Sequence, residues 1–389
     1  MTDEDNNRKT ESMTNYEMVY DYSSSALTEQ GKGGLIDAPL DSALAAQSSS
    51  QMTVDESWMK RIWEWADEFE IPESNIPRNR DGLLAISRLA IFKISYLPDE
   101  LTFLSNLNVL TIRHSALTSL PENIGQLINL TNLHVADNGI RNLPESIGQL
   151  TNLEALDVSY NQLKELPQSI TNLTKLIKLR VNHNKLTVLP ENIGQLTNLT
   201  ELDINSNKLS NLPDNIGQLT NLTELDVSYN SLKELPRSIG KITNLVYLDL
   251  TNNQLRKLPQ SIGKLTNLIG LKVGYNQIRE LPESIGQLTN LTDLTVGVNN
   301  LTELPESICQ LINLTYLNFT DNQIRNLPES IGQLTNLILF YAGDNHFRSL
   351  PESICQLTNL ECMYIGGNLF EDFSDSISQF INLNQIDVW

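Results

Sequence analysis

The side chains of this 389-residue chain that could perform acid–base, nucleophilic or metal chemistry are few. The histidines and cysteines, which most often do such work, are His114, His134, His183, His346, Cys309, Cys355 and Cys362. His134 and Asp157 are spaced so that they could pair across neighbouring strands. No nucleophile, oxyanion-binding group or metal-ligand spacing accompanies them. We therefore predict that the chain is not an enzyme and has no catalytic residues, no metal site and no cofactor.

Side chains suited to recognition are more numerous and recur at regular intervals. When the chain is aligned with itself in 23-residue steps, two nearby positions carry acidic, basic and aromatic residues that differ between repeats. The surrounding residues change little, so we expect a protein partner to contact the variable positions. The predicted partner-binding residues are Asp157, Arg180, Glu201, Asp203, Glu224, Asp226, Tyr247, Asp249, Lys272, Tyr316, Tyr341 and Tyr364.

The acidic members of this set pose a question of energy. Asp203, Asp226 and Asp249 fall at successive 23-residue steps, and like charges opposed across strands are destabilising. One explanation is that a basic partner relieves the repulsion. The other is that aspartate is usual at this place, solvated and near a serine such as Ser228. The tyrosines are stronger candidates for anchors, because their rings bury much surface at low entropic cost.

The elements that position these residues follow from one repeated pattern. Residues 130–150 read L-x-x-L-x-V-x-x-N-x-I-x-x-L-P-x-x-I-x-x-L. The alternating apolar residues at its start predict a short strand with one buried face. The spacing of three and four at its end predicts a helical turn, with Pro144 at the first position. One such unit cannot bury its own apolar face, so the units must stack into a solenoid.

The pattern defines the extent of the repeat domain. Its Leu-Pro pair recurs every 23 residues from Leu97 to Leu350. We expect a repeat domain over residues 84–389, with twelve full repeats and a partial last strand. Residues 84–103 are predicted to be a degraded first repeat in the same register. In that register Ser87 and Phe92 replace the expected Leu and Asn.

One column of the repeat is asparagine in eleven consecutive repeats, although asparagine is rare in strands and helices. A buried amide must be hydrogen-bonded, so the column predicts an internal ladder that satisfies backbone groups where the chain leaves each strand. The column consists of Asn138, Asn161, Asn184, Asn207, Asn230, Asn253, Asn276, Asn299, Asn322, Asn345 and Asn368.

These repeats resemble the leucine-rich repeat proteins, and residues 221–243 (NLTELDVSYNSLKELPRSIGKIT) are similar to the 23-residue intracellular class. That class includes the Ras-pathway scaffold family, the plant intracellular Ras-group family and many bacterial proteins. The resemblance implies an α/β horseshoe solenoid with a parallel concave β-sheet and short helical or 3-10 turns on its convex side. It implies a scaffold that binds proteins, without naming the partner.

Two different segments precede the repeats. Residues 1–54 are polar and rich in serine, which predicts disorder. In residues 55–83, the stripe Trp58, Ile62, Trp65 and Phe69 predicts an amphipathic helix. We favour a capping helix that covers the open end of the first repeat. A docking helix for a partner is the alternative.

Composition limits the partners and the compartment. A formal net charge of −20 argues against nucleic acid and anionic membrane as partners. The three cysteines are placed so that free thiols in a reducing cytosol fit best. We therefore expect a cytoplasmic, monomeric module that binds one protein through its concave face. The alternatives are a bacterial effector secreted into host cells and a signalling scaffold of the Ras-pathway type.

Overall fold

The computed structural model describes residues 56–370 and the backbone of residues 386–387. The predicted disordered segment 1–54 and the last residue, Trp389, lie outside the described residues. Two helices come first, α1 (Ser57–Glu68) and α2 (Arg80–Leu84). The strands are β1 (Arg88–Phe92), β2 (Val109–Arg113), β3 (Asn132–His134), β4 (Ala155–Asp157), β5 (Lys178–Arg180), β6 (Glu201–Asp203), β7 (Glu224–Asp226), β8 (Tyr247–Asp249), β9 (Gly270–Lys272), β10 (Asp293–Thr295), β11 (Tyr316–Asn318), β12 (Leu339–Tyr341), β13 (Cys362–Tyr364) and β14 (Ile386–Asp387).

Within the described residues, these fourteen strands form one parallel sheet in chain order. Each strand pairs with its predecessor and its successor, and a 3-10 turn returns the chain to the sheet between most of them. The predicted solenoid with a parallel sheet and short 3-10 turns is confirmed. The 3-10 turns are Asp99–Phe103, Ile124–Gln126, Glu145–Gln149, Gln168–Asn172, Ile193–Gln195, Asp214–Gln218, Arg237–Lys241, Gln260–Lys264, Glu283–Gln287, Glu306–Gln310, Ile331–Gln333 and Glu352–Gln356.

The register predicted for the first repeat is wrong. Leu89 of β1 pairs with Leu110 of β2, which is 21 residues later, whereas Leu110 pairs with Leu133 at the regular interval of 23 residues. Leu89 therefore occupies the first core position of its strand. The expectation that Ser87 and Phe92 fill the Leu and Asn positions fails, because the first repeat lacks two residues after its strand.

The missing residues are those of the asparagine position. Ile91 ends the buried face of β1, and Ile94 already occupies the place that Leu117 takes in the next repeat. The N–H of Leu117 donates to Oδ1 of Asn138 at 3.1 Å. The N–H of Ile94 donates instead to the hydroxyl of Ser115 at 3.3 Å. A serine thus begins the ladder that asparagine continues.

The asparagine ladder is confirmed in every repeat that carries the residue. Oδ1 of Asn230 accepts from the N–H of Leu209 at 2.9 Å, and Nδ2 donates to the carbonyls of Ile204 at 3.0 Å and Val227 at 3.1 Å. Each amide therefore joins two neighbouring repeats at the strand exit. The same contacts recur from Asn138 to Asn368.

Most turns contain a glycine, at the fourth position of the five-residue turns and the second of the three-residue turns. A Cβ at Gly286 would lie 2.4 Å from the carbonyl oxygen of Ser307 in the next repeat, so the turns pack too closely for a side chain. At Cys309, where the glycine is replaced, the following turn shrinks to the three residues Ile331–Gln333. The same shortening follows Thr102 and Thr171. The turn after the fourth substituted position, Cys355, lies outside the described residues.

One detail of the turn differs from its prediction. Pro144 precedes the 3-10 turn with extended backbone angles, φ −68° and ψ 148°, instead of forming its first residue. The proline still supplies the acceptor for the turn, because the N–H of Ile147 donates to its carbonyl at 3.0 Å. Proline therefore fixes the approach to the turn.

Helix α1 packs its apolar stripe against the first repeat. Met59, Ile62 and Trp65 are buried in the same core as the repeats. The indole N–H of Trp65 donates to the carbonyl of Tyr96 at 3.1 Å, which satisfies its one polar atom. We propose that α1 serves as the cap. No helix among the described residues is long and apolar enough to cross a membrane.

Candidate functional site on the concave face

The concave face consists of the first and third residues of the three-residue strands, because the middle residue of each is buried. All twelve predicted partner-binding residues occupy such positions on strands β4 to β13. Parallel neighbours lie in register, so the side chains form two columns at intervals of about 4.8 Å. From β2 to β13 the face divides into three zones of different chemistry.

The first zone, here called the paired zone, extends from β2 to β6 and contains opposite charges in contact. Nε of Arg180 lies 2.5 Å from Oε1 of Glu201, and Nζ of Lys178 lies 3.0 Å from Oε2 of the same carboxylate. Burial raises the pKa of Glu201, but the hydrogen bonds from Arg180 and Lys178 outweigh it and hold the pKa below its usual value. These charges are satisfied within the chain.

Asp157 belongs to the paired zone and is buried, with 6% of its surface exposed. Its Oδ2 accepts from Arg113 at 2.8 Å, and its Oδ1 accepts from the N–H of Ser159 at 3.1 Å. Asp157 therefore holds its neighbours in place through both carboxylate oxygens, and its part in partner binding stays a prediction. Its separation from Nδ1 of His134 is 4.0 Å, too long for a hydrogen bond. Burial lowers the pKa of His134.

The second zone, here called the acidic zone, covers β6 to β10 and contains Asp203, Glu224, Asp226, Asp249 and Asp293. The Nδ2 of Asn205 bridges two of these carboxylates, at 2.8 Å from Asp203 and 3.1 Å from Asp226. Burial, together with the charge of Asp226, raises the pKa of Asp203 to about 7. Burial also raises the pKa of Asp226. Repulsion across these strands is therefore only partly relieved.

The acidic zone also has a structural role, which was the second explanation for its aspartates. Oδ1 of Asp226 accepts from the N–H and the hydroxyl of Ser228, at 2.9 and 2.6 Å. Oδ1 of Asp249 accepts from the N–H of Thr251 at 2.9 Å. These carboxylates are partly buried and not freely solvated. One oxygen of each holds the backbone after the strand. The serine contact of the second explanation is therefore observed, its solvated aspartates are not, and relief by a basic partner stays a hypothesis.

The third zone, here called the tyrosine zone, consists of Tyr316, Tyr341 and Tyr364 on β11 to β13. The rings of Tyr316 and Tyr341 lie with centroids 5.5 Å apart. The ring of Tyr364 lies over Gly343, where a Cβ would be 1.9 Å from its Cε1 atom. The glycine thus lets the ring lie flat against the preceding repeat. Burial raises the pKa of Tyr316.

Two predicted residues on strands of the acidic zone, Tyr247 and Lys272, are not acidic. Tyr247 on β8 is 53% exposed and is separated from the tyrosine zone by two strands. Its ring lies against Gly270, where a Cβ would be 2.9 Å away. Lys272 approaches Asp249 at 3.9 Å and is exposed. The structure therefore groups the three C-terminal tyrosines and leaves Tyr247 apart.

The sequence prediction missed residues that support the site. Asp293 occupies the first position of β10, and burial raises its pKa. Asn205, which bridges two aspartates, lies two residues after a strand and therefore outside the predicted columns. Gly270 and Gly343, which lie beneath the rings of Tyr247 and Tyr364, have no side chain that would suggest a role. Asp293 could have been found from the sequence, because it lies at the same repeat position as Glu201 and Glu224. Among the described residues no cluster of potential metal ligands occurs.

Comparison with known sequences and structures identifies the family. A family described as leucine-rich repeat region matches residues 133–210, 237–308 and 303–389. A second, described as leucine rich repeat, matches residues 197–255. A search of curated protein sequences returns no match. The matched ranges together cover more than half of the chain.

Solved structures of bacterial repeat proteins share the fold. A leucine-rich repeat protein from Leptospira interrogans is 31% identical with a TM-score of 0.67, over 82% of this chain and 94% of that protein. YopM from Yersinia enterocolitica is 27% identical with a TM-score of 0.57, over 82% and 70%. An internalin from Listeria monocytogenes, 23% identical with a TM-score of 0.73 over 85% and 97%, shows the fold alone. The chain belongs to the leucine-rich repeat family.

Proposed function

We propose that this chain is a non-enzymatic binding module that holds one protein partner on its concave face. Leucine-rich repeat proteins are commonly modules of this kind. The observation that carries the proposal is the acidic zone and the tyrosine zone side by side on one face. The acidic zone is only partly neutralised, with Lys272 at 3.9 Å from Asp249. In the paired zone, by contrast, Arg113, Lys178 and Arg180 contact the carboxylates closely.

The acidic zone supports a partner with basic groups. Glu224 is exposed along part of its side chain, but neighbouring groups shield its carboxylate from water. This desolvation and the nearby charge of Glu201 raise its pKa. A cation from a partner would lower the pKa of Glu224 and Asp203 and would recover the energy of their repulsion. Charge of one sign on a face also steers an oppositely charged partner during encounter.

The tyrosine zone supports an apolar anchor for the same partner. Tyr316, Tyr341 and Tyr364 are partly buried, so their rings are held by neighbours while one side remains open. Rigid aromatic side chains of this kind dominate binding energy at many interfaces. The partner therefore combines basic groups over β6 to β10 with an apolar group over β11 to β13.

The compartment remains part of the proposal. Cys309, Cys355 and Cys362 are free thiols in the structure, which favours a reducing cytosol. Delivery by a bacterial secretion system into a host cell would place the chain in a cytosol too. A role as a scaffold for signalling enzymes would use the same concave chemistry. Fusion to a reporter of host-cell entry distinguishes delivery from the other two.

Affinity capture from cytosolic extract tests the proposal. Wild-type chain is compared with Tyr341→Ala/Tyr364→Ala in the tyrosine zone. The control is Tyr229→Ala/Tyr275→Ala, which removes two rings that are 56% and 57% exposed outside the concave face. A protein captured by wild type and control but lost with the concave variant supports the proposal. A protein retained by both variants, and lost when residues 1–54 are deleted, overturns it.

A further inference from the structure

A row of cations runs along the flank of the solenoid, outside the concave face. It lies just after the asparagine ladder, where the chain leaves the sheet toward the 3-10 turns. In seven consecutive repeats one exposed cation stands either one or three residues after the ladder asparagine. Two later repeats add a cation each. This flank row consists of Arg141, Lys164, Lys185, Lys208, Lys233, Arg256, Arg279, Arg325 and Arg348.

In each of the seven repeats, a cation occupies one of the two positions and the other holds a neutral residue. Where the residue three after the asparagine is Thr187 or Ser210, the residue one after it is Lys185 or Lys208. The row is therefore continuous although neither position alone is. Nine of the 27 lysines and arginines of a chain with net charge −20 fall in this row.

The backbone beneath the row is fixed at the pitch of the sheet. The N–H of Lys185 donates to the carbonyl of Leu163 at 2.8 Å, and the N–H of Lys208 donates to the carbonyl of Leu186 at 2.8 Å. These bonds continue the stacking of repeats beyond the strands, so neighbouring cations are based about 4.8 Å apart. Arg256 and Arg279 line a groove of about 380 Å³ together with Gln277 and Asn300.

The row is not neutralised by the described part of the chain. Every one of its side chains is exposed, and no carboxylate among residues 56–370 forms an ion pair with any of them. The cations of the concave face behave differently: Arg113, Lys178 and Arg180 each contact a carboxylate. The row is thus available to an external anion.

The width of the row limits what that anion can be. On the side of the sheet, Asp137, Asp321 and Asp344 are exposed in the column just before the ladder. On the other side, exposed glutamates stand directly after three of the cations, at Glu165, Glu234 and Glu280. A flat anionic membrane or a wide duplex would meet these carboxylates together with the cations. A single extended anionic chain would meet the cations alone.

The neutral neighbours of the cations favour a polypeptide. Gln162, Gln254 and Gln277 accompany the cations of their repeats, and hydroxyls do so at Thr187 and Ser210. An amide both donates and accepts hydrogen bonds, as a peptide backbone does, whereas a phosphodiester backbone only accepts. We propose that the flank row binds an acidic, extended segment of a protein, separately from the concave face.

A titration of the full chain with a labelled peptide tests this inference. Seven repeats span about 29 Å, which an extended peptide of about nine residues covers, so a decapeptide of alternating Glu and Ser is the probe. The row variant is Lys185→Gln/Lys208→Gln/Lys233→Gln. The matched control, Arg237→Gln/Lys241→Gln/Lys264→Gln, removes the same charge from exposed sites on the 3-10 turns.

We expect the row variant to weaken binding of the acidic decapeptide about tenfold or more, and the control to weaken it less than about twofold. Tyr341→Ala/Tyr364→Ala should leave this binding unchanged, which separates it from the concave proposal. Three results overturn the inference: no binding by wild type, equal losses in row variant and control, or tighter binding of oligothymidylate or phosphatidylserine vesicles by the same row.

Discussion

The concave face and the flank row carry charges of the same repeats in opposite ways. On the concave face, Arg180 and Lys178 contact Glu201, which is 13% exposed, and Asp203 shares an amide with Asp226. On the flank, Lys185 and its neighbours are exposed and form no ion pair with residues 56–370. Adjacent strands hold side chains within about 5 Å of one another, so neighbouring charges on the sheet must form ion pairs or hydrogen bonds. Long side chains on the flank can extend away from one another into solvent and need no such partner.

The difference has a consequence for recognition. A partner of the concave face has to match a preset pattern of paired, acidic and tyrosine zones. The proposed ligand of the flank row needs only the right sign and an extended shape, since the cations are exposed and similar. Under the two proposals, specificity belongs to the concave face and general attraction to the flank.

Both surfaces depend on the asparagine ladder beneath them, which provides the largest expected effect. Asn230→Leu should cost about 1–3 kcal/mol in the free energy of unfolding, because the N–H of Leu209 and several carbonyls lose their partner. Asn138→Leu, near the N-terminal end of the sheet, should cost less if end repeats fray. Denaturant unfolding measures both. Equal stability of Asn230→Leu and wild type would show that water replaces the amide.

The second prediction separates the zones of the concave face. Tyr341→Ala/Tyr364→Ala should cost about 2 kcal/mol in binding the partner, chiefly by raising the dissociation rate. Asp203→Asn/Asp226→Asn/Asp249→Asn should chiefly slow association and weaken its salt dependence. Surface-based kinetics at several ionic strengths measures both. If the aspartate variant instead raised only the dissociation rate, the acidic zone would contact the bound partner and would not steer its association.

The third prediction uses the pH dependence of Asp203. Its pKa in the folded chain is about 7, above the ordinary value of 3.8, so the folded state binds the proton more tightly. Stability from this group should fall as pH rises from about 4 to about 7. Asp203→Asn removes that loss and should be about 1 kcal/mol more stable than wild type at pH 8, after allowance for solvent screening. Parallel stability curves from pH 4 to pH 8 would contradict this.

The sequence alone was enough to predict the features that depend on residues within one repeat, namely the asparagine ladder and the shared face of the strands. The asparagine column had no other stable role than the ladder, and the alternating strand residues had to share a face. The register of the first repeat could not be predicted, because the two residues are missing before Leu97 and the 23-residue spacing from Leu97 to Leu120 does not reveal their loss. The burial of Asp157 depends on Arg113, which lies two strands away. The flank row alternates between two positions, so neither column alone reveals it.

The smallest expected effect tests the comparison between the two surfaces most directly. Arg180→Gln should lower stability by about 0.5 kcal/mol at pH 7, because Glu201 keeps only Lys178 as a cation in a partly buried site. The pKa of Glu201 is below its usual value in the folded chain, so the stability it contributes is present above the unfolded pKa and is lost as pH falls. The deficit of Arg180→Gln should therefore shrink toward pH 3.

Lys185→Gln is the matched change on the flank and should leave stability unchanged within about 0.3 kcal/mol at both pH values, because its cation contacts no carboxylate among the described residues. Thermal unfolding of the two variants beside wild type, at pH 7 and pH 3, measures the contrast. If Lys185→Gln lost as much stability as Arg180→Gln at pH 7, the flank cation would be serving the fold. Its charge would then be engaged within the chain, and the flank row would have less to offer an external ligand.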